Sequence, residues 1–147
     1  VSPLQRLQCR IVDTEHQHIL LLFDGDLYPA LESLQWTYPT LHTFVRERGG
    51  WIALAHPFRY HSDIVIDIAQ YPPDALEGCS TNVAVLNQPR IREAAQQLGI
   101  PVVCNSDAHV THSFGVGYNL LHEEPEDEAH LVRILRAGAF VGVCAII

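Results

Sequence analysis

The sequence predicts a parallel α/β domain, and three observations predict it. Short apolar runs rich in Val, Ile and Leu recur at residues 18–23, 51–56 and 100–104, as strands covered on both faces require. Segments with helical spacing of apolar residues lie between such runs, and strand alternating with helix argues a mostly parallel sheet. Polar residues, His56, Glu77 and Asp107, stand at the ends of three of the runs, which is where parallel α/β folds collect their chemistry. Six or seven strands with three helices in 147 residues are too few for a closed eight-fold barrel of roughly 250 residues. The expected architecture is therefore one domain, residues 1–147, folded as a partial barrel.

Taken in order, residues 8–13 and 18–23 read as strands joined by the polar link Thr14-Glu15-His16-Gln17. Residues 24–39, with Asp24-Gly25-Asp26 and two prolines, read as a loop holding a short helix. Thr40 is placed to cap a helix with Leu41, Phe44 and Val45 on one face, closed by Gly49-Gly50. Pro57 stops the strand 51–56; residues 63–69 read as a short helix and 74–78 as a brief strand. Asn87 caps the next helix, with Pro89 in its first turn, Ile91, Ala94, Ala95 and Leu98 along one stripe, and Gly99 at its end. After the strand 100–104, residues 117–121 form another. Glu126, Asp127 and Glu128 then favour the positive end of a helix that buries Leu131, Ile134 and Leu135 and closes at Gly138. Residues 140–147 make the last strand.

At 48% hydrophobic residues the chain is globular, and its lack of methionine marks it as processed or as part of a longer product. No run of about 18 apolar residues and no apolar signal-peptide core is present, so the expectation is a cytoplasmic protein without membrane contact. A net charge of −8 without clustered cations argues against a nucleic-acid partner. Cys9, Cys79, Cys104 and Cys144 show no C-x-x-C spacing and are expected to be reduced and buried. An incomplete barrel leaves a free strand edge, so a homo-oligomer is expected.

Asp107 and His109 follow the strand 100–104 directly. Residues two apart in extended backbone point to one side, roughly 6–7 Å apart at Cα, so this carboxylate and imidazole can serve one metal ion or two neighbouring ones. Asp-x-His recurs by chance, and its weight here comes from converging with His56 and Glu77 at strand ends. Imidazole with carboxylate suits Zn, Mn or Fe. His18 opens a strand rather than closing one, and the residues alone favour a structural role. Arg59 and His61 follow Pro57 on a loop at the same end, where a guanidinium can pair with phosphate, and are the candidate substrate-binding residues. Glu77 is either a ligand or a group that orients one. His42, His112, His122 and His130 receive no role. No G-x-S-x-G, phosphate-binding glycine loop or Cys/His nucleophile pattern is present, so covalent catalysis has no support and no catalytic residue is assigned.

Ala55-His56-Pro57-Phe58-Arg59, then Ala75-Leu76-Glu77 with Asn82 and Asn87, then Leu98-Gly99-Ile100-Pro101 running into Ser106-Asp107-Ala108-His109 and Gly115, resemble the later motifs of the PHP (polymerase and histidinol phosphatase) superfamily. The resemblance runs from about Cys9 onwards and implies a partial (β/α)7-type PHP barrel with mostly parallel strands, the later two thirds of a typical family domain. It further implies divalent metal held by His18, His56, Asp107 and His109, and hydrolysis of a small phosphorylated substrate. The family's opening His-x-His has no counterpart, and Arg10 falls where the family places a bridging glutamate, which implies fewer than three metals. Two readings stay open: a metal-dependent phosphoesterase, or a catalytically inactive PHP domain serving as a metal-binding or regulatory module. An amidohydrolase is disfavoured, because the chain holds no lysine to ligate metal.

Overall fold

The computed structural model describes residues 7–14, 17–24, 28–32 and 35–145. Strands β1 (Leu7–Asp13) and β2 (His18–Asp24) are joined by a link too short for a crossover and so pair antiparallel, Asp13 opposite His18. Helices α1 (Tyr28–Glu32) and α2 (Tyr38–Glu47) lead to β3 (Trp51–Leu54), which also runs antiparallel to β2, with Ile19 opposite Leu54. Next come β4 (Ala75–Cys79), α3 (Gln88–Leu98) and β5 (Val102–Cys104); β4 is parallel to β3, and β5 to β4. Strands β6 (Gly117–Leu121) and β7 (Phe140–Cys144), separated by α4 (Glu128–Arg136), form an antiparallel pair of their own.

This corrects the expected partial PHP barrel with mostly parallel strands. The described strands form an open mixed sheet in the order β1-β2-β3-β4-β5 and a separate pair β6-β7, with no closed barrel. The physical reason is that a helix between two strands does not fix their relative direction. The segment carrying α1 and α2 returns the chain antiparallel, and so does the segment carrying α4. The short helix expected at 63–69 is also absent; the stretch is a series of bends and turns, consistent with the low helix propensity of its Ile and Val residues.

Both faces of the sheet are covered. Ile52, Leu54 and Leu76 pack with Leu41 and Val45 of α2 and Ile91 and Ala95 of α3, while Trp51, Ala53, Ala75 and Val103 pack on the other face with Val132 of α4 and Phe140 of β7. Truncating one of the fully buried leucines costs about 2–5 kcal/mol. Helix α2 starts earlier than expected, because Thr37, not Thr40, supplies the oxygen that accepts from the Thr40 N–H. Gly99 ends α3 in the left-handed conformation at φ 67°, with its N–H on the Ala95 and Gln96 carbonyls. Helix α4 buries Ile134 as expected, together with Val132, while Leu131 and Leu135 are half-buried. Asp127 caps it by accepting from the His130 N–H at 2.7 Å.

The cysteine expectation is corrected as well. Cys79 and Cys144 are joined in a disulfide, and Cys104 is a free thiol. None of the described helices is long and apolar enough to cross a membrane.

Candidate functional site

Because β3, β4 and β5 are parallel, their carboxyl ends lie together, and His56, Glu77 and Asp107 are delivered to one end of the sheet. His18 arrives there by the opposite route. Strand β2 runs antiparallel to β3, so its first residue lies beside the last residues of β3, and the His18 carbonyl accepts from the Ala55 N–H at 3.2 Å. The result is an imidazole pair, His18 Nδ1 3.2 Å from His56 Nε2. On its far side His18 Nε2 lies 3.2 Å from Asp13 Oδ1. Tyr60 packs edge-on against both rings, at centroid distances of 5.4 and 5.6 Å.

Glu77 is the frame of the site. Its Oε2 accepts from the His56 N–H at 2.8 Å and the Ser80 hydroxyl at 3.3 Å, and its Oε1 accepts from the Asn105 side-chain amide at 2.8 Å. Burial pushes its pKa up, opposed by these donors and reinforced by the Asp107 charge. His56 is also buried, and burial, followed by the nearby His18, holds its pKa below the ordinary histidine value. At neutral pH it is therefore an uncharged imidazole. Its Nδ1 is buried without a hydrogen-bond partner among the described residues.

Asp107 is oriented by Asn82, whose amide nitrogen donates to Oδ2, and by Thr81, whose hydroxyl donates to the Asp107 carbonyl at 3.2 Å. His56 and Asp107 both hold non-glycine backbone at positive φ, 27° and 48°. His109 stays beside Asp107, its Nδ1 2.8 Å from the Asp107 carbonyl and 3.9 Å from Oδ1, with the side chain 75% exposed. Arg59 and His61 are exposed on the loop beyond His56. Arg59 stands over the Tyr60 ring at 4.9 Å, and its charge also disfavours protonation of His56. Arg10 pairs through its backbone with Leu21, and its side chain, with the bridging-ligand expectation, lies outside the described residues.

His56, Glu77, Asn105 and Asp107 line a cleft of about 710 Å³ together with Phe114 and Tyr118. That volume lies in the usual range for small-molecule sites. Among the described residues no group of three or more His, Cys, Asp or Glu side chains converges on one point to hold a metal ion. The donor set offers an imidazole pair. Two nitrogens bound at ~2.0–2.1 Å to one tetrahedral ion stand about 3.3 Å apart, and the His18–His56 separation of 3.2 Å fits that edge. The same distance fits one ring donating N–H to the other.

The sequence quoted Asn82 only as part of a motif and missed Asp13, Ser80 and Asn105. Asn105 was within reach of sequence reasoning, since it immediately follows β5 and strand ends collect function; Asp13 was not, because its role depends on the hairpin register. No curated protein and no solved structure matches the chain. Residues 87–140, from the start of α3 to the start of β7, match the PHP-associated family, which supports a relation of this stretch to PHP proteins.

Proposed function

We propose that this domain is a PHP-type phosphoesterase-like protein that holds one divalent ion on His18 and His56 and takes a phosphoester into the adjoining cleft. The observation that carries the reading is the neutral, buried His56 placed 3.2 Å from a second imidazole and lining a cleft that Asp107 also lines. A divalent ion, when bound, supplies Lewis acidity towards a phosphoryl oxygen. Burial keeps the His56 lone pair available at neutral pH. Glu77 and Asn105 fix the backbone that carries it, and Asn82 holds the Asp107 carboxylate facing the cleft, where it can accept a proton from an attacking water. A second reading, a metal-binding module without turnover, is favoured by the lack of a third convergent donor among the described residues.

Thermal melts with Mn²⁺ or Zn²⁺, together with hydrolysis of p-nitrophenyl phosphate, test both. An ion at a hundred times its Kd contributes about 2.7 kcal/mol, which for a domain of this size raises Tm by roughly 5–10 °C. The rise should vanish in His56→Ala and His18→Ala. Binding with turnover supports the phosphoesterase, binding without it supports the module, and no ion-dependent rise in Tm sinks both.

A further inference from the structure

The disulfide joins Cys79 to Cys144 across 65 residues of sequence, and so ties β4, whose Glu77 lines the cleft, to β7, the partner of the β6 strand that also lines it. Cys79 is two residues past Glu77 in β4, and its carbonyl accepts from the N–H of Asn105, the residue whose side chain donates to Glu77. Cys144 in β7 lies opposite Gly117 in β6, and Gly117, Tyr118 and Asn119 line the cleft. Besides this bond, the pair of β6 and β7 is attached to the sheet by Phe140, buried with Val103 and Ala75, and by the Asn119 side chain, which bridges the Cys104 N–H at 2.9 Å and the Cys104 carbonyl at 2.7 Å.

The two residues differ in access: Cys79 is buried, whereas Cys144 is exposed. Cys104 is the third cysteine of the cluster. It stands opposite Cys79 in the β4–β5 ladder, and a Cβ on Gly142 of β7 would come within 2.7 Å of its sulfur.

We propose that Cys79–Cys144 is a thiol-exchange site, opened by a small thiol of the glutathione class at the exposed Cys144 sulfur, that locks and unlocks the β6–β7 wall of the cleft. Exposed disulfides are the labile and regulatory ones. A thiolate attacks Cys144 Sγ, the Cys79–Cys144 bond breaks, and Cys79 leaves as a thiolate that takes up a proton. A second thiolate then attacks the mixed disulfide, releasing the Cys144 thiolate, which is protonated, and a small-molecule disulfide. Two thiols are oxidised and one protein disulfide is reduced, and the small-molecule disulfide drives the reverse. Burial pushes the Cys104 thiol pKa up, which keeps it from competing as the attacking group. The exchange is independent of which ligand fills the cleft.

The test uses the full chain, purified in air and compared with and without dithiothreitol. Alkylation under denaturing conditions, mapped by mass, should label Cys104 but neither Cys79 nor Cys144 before reduction, and both of these after it. Amide hydrogen exchange in residues 117–121 and 140–144 should quicken at least roughly tenfold on reduction and slow again in oxidised glutathione. Cys144→Ser should exchange fast in both conditions, and Cys104→Ser should keep the full response. Labelled Cys79 and Cys144 in the unreduced chain, or exchange in β6 and β7 unchanged by reductant in the wild type, overturns the proposal. The wild-type comparison stands even where a variant fails to fold.

Discussion

Replacing Glu77 by glutamine tests whether a buried carboxylate frames the site. Three donors converge on its two oxygens: the His56 N–H, the Asn105 amide and the Ser80 hydroxyl. Glutamine keeps one oxygen and puts an NH₂ where the other was, so either the His56 N–H or the Asn105 amide faces a donor. A buried donor left unpaired costs about 1–3 kcal/mol. Relief of carboxylate desolvation acts the other way, but the ionised form is already met by donors on both oxygens, so loss should win. With a urea m-value of about 2 kcal/mol/M, Glu77→Gln should lower the midpoint by roughly 0.5–1.5 M, and Glu77→Ala, which strips all three bonds, by more. Trp51, packed on the same sheet, serves as fluorescence reporter. The pH dependence has a defined sign. The folded pKa is raised, so the contribution of Glu77 is full at low pH and declines as pH rises through that value; Glu77→Gln should remove this decline. A glutamine variant with the wild-type midpoint at every pH would refute the frame.

Three further outcomes follow from the coordinates. Asp74, buried at the far end of β4, accepts from the Ile52 N–H at 3.0 Å and pairs with Arg46 at 2.9 Å and Arg136 at 3.2 Å; Asp74→Ala should cost about 2–4 kcal/mol, read as a Tm drop of roughly 4–16 °C. Gly117→Ala would put a methyl 2.1 Å from the Asn105 carbonyl oxygen, a backbone atom that cannot swing aside. The hairpin must shift, at about 1–3 kcal/mol, and hydrogen exchange at the Asn119–Cys104 contact should quicken. His56 has a lowered folded pKa, so its contribution is complete above the ordinary histidine value and is lost as pH falls through it; urea midpoints from pH 8 to 5 should fall more steeply in wild type than in His56→Gln.

Strand existence was legible because β-branched apolar runs with flanking turn residues have few other uses, and α3 was legible to its end because Pro89 and Gly99 punctuate it. Strand direction was not. Only the link between β1 and β2 is short enough to dictate an antiparallel pair, and the longer connections allow either sense. That ambiguity explains His18: its position at a strand start counted against it, yet an antiparallel β2 makes a strand start and a strand end the same place. The backbone of Asp107-Ala108-His109 was not legible either. The two-residue spacing assumed extended backbone, whereas Asp107 sits at φ 48°, and the pair meets through a turn, with His109 Nδ1 2.8 Å from the Asp107 carbonyl and 3.9 Å from its Oδ1. The pairing of Cys79 with Cys144 leaves no local trace, since a bond across 65 residues depends on the packing of β7 against β4.

The backbone at His56 and Asp107 gives the site an argument that does not depend on metal chemistry. Non-glycine residues at positive φ each cost on the order of 1–3 kcal/mol and persist only where surrounding contacts over-determine them. Here the contacts are identifiable. The His56 N–H is held by Glu77 and its carbonyl by the Arg59 N–H, while Asp107 is held by Asn82 through its carboxylate and by Thr81 through its carbonyl. A fold that needed only a chain reversal at these two points would be served by glycine at no steric cost. Histidine and aspartate stand there instead, after two strands of one parallel set, and both line the same cleft. The strain therefore goes into placing an uncharged imidazole and an oriented carboxylate at one cleft, the pair that acid–base or metal-assisted chemistry on a bound ester requires.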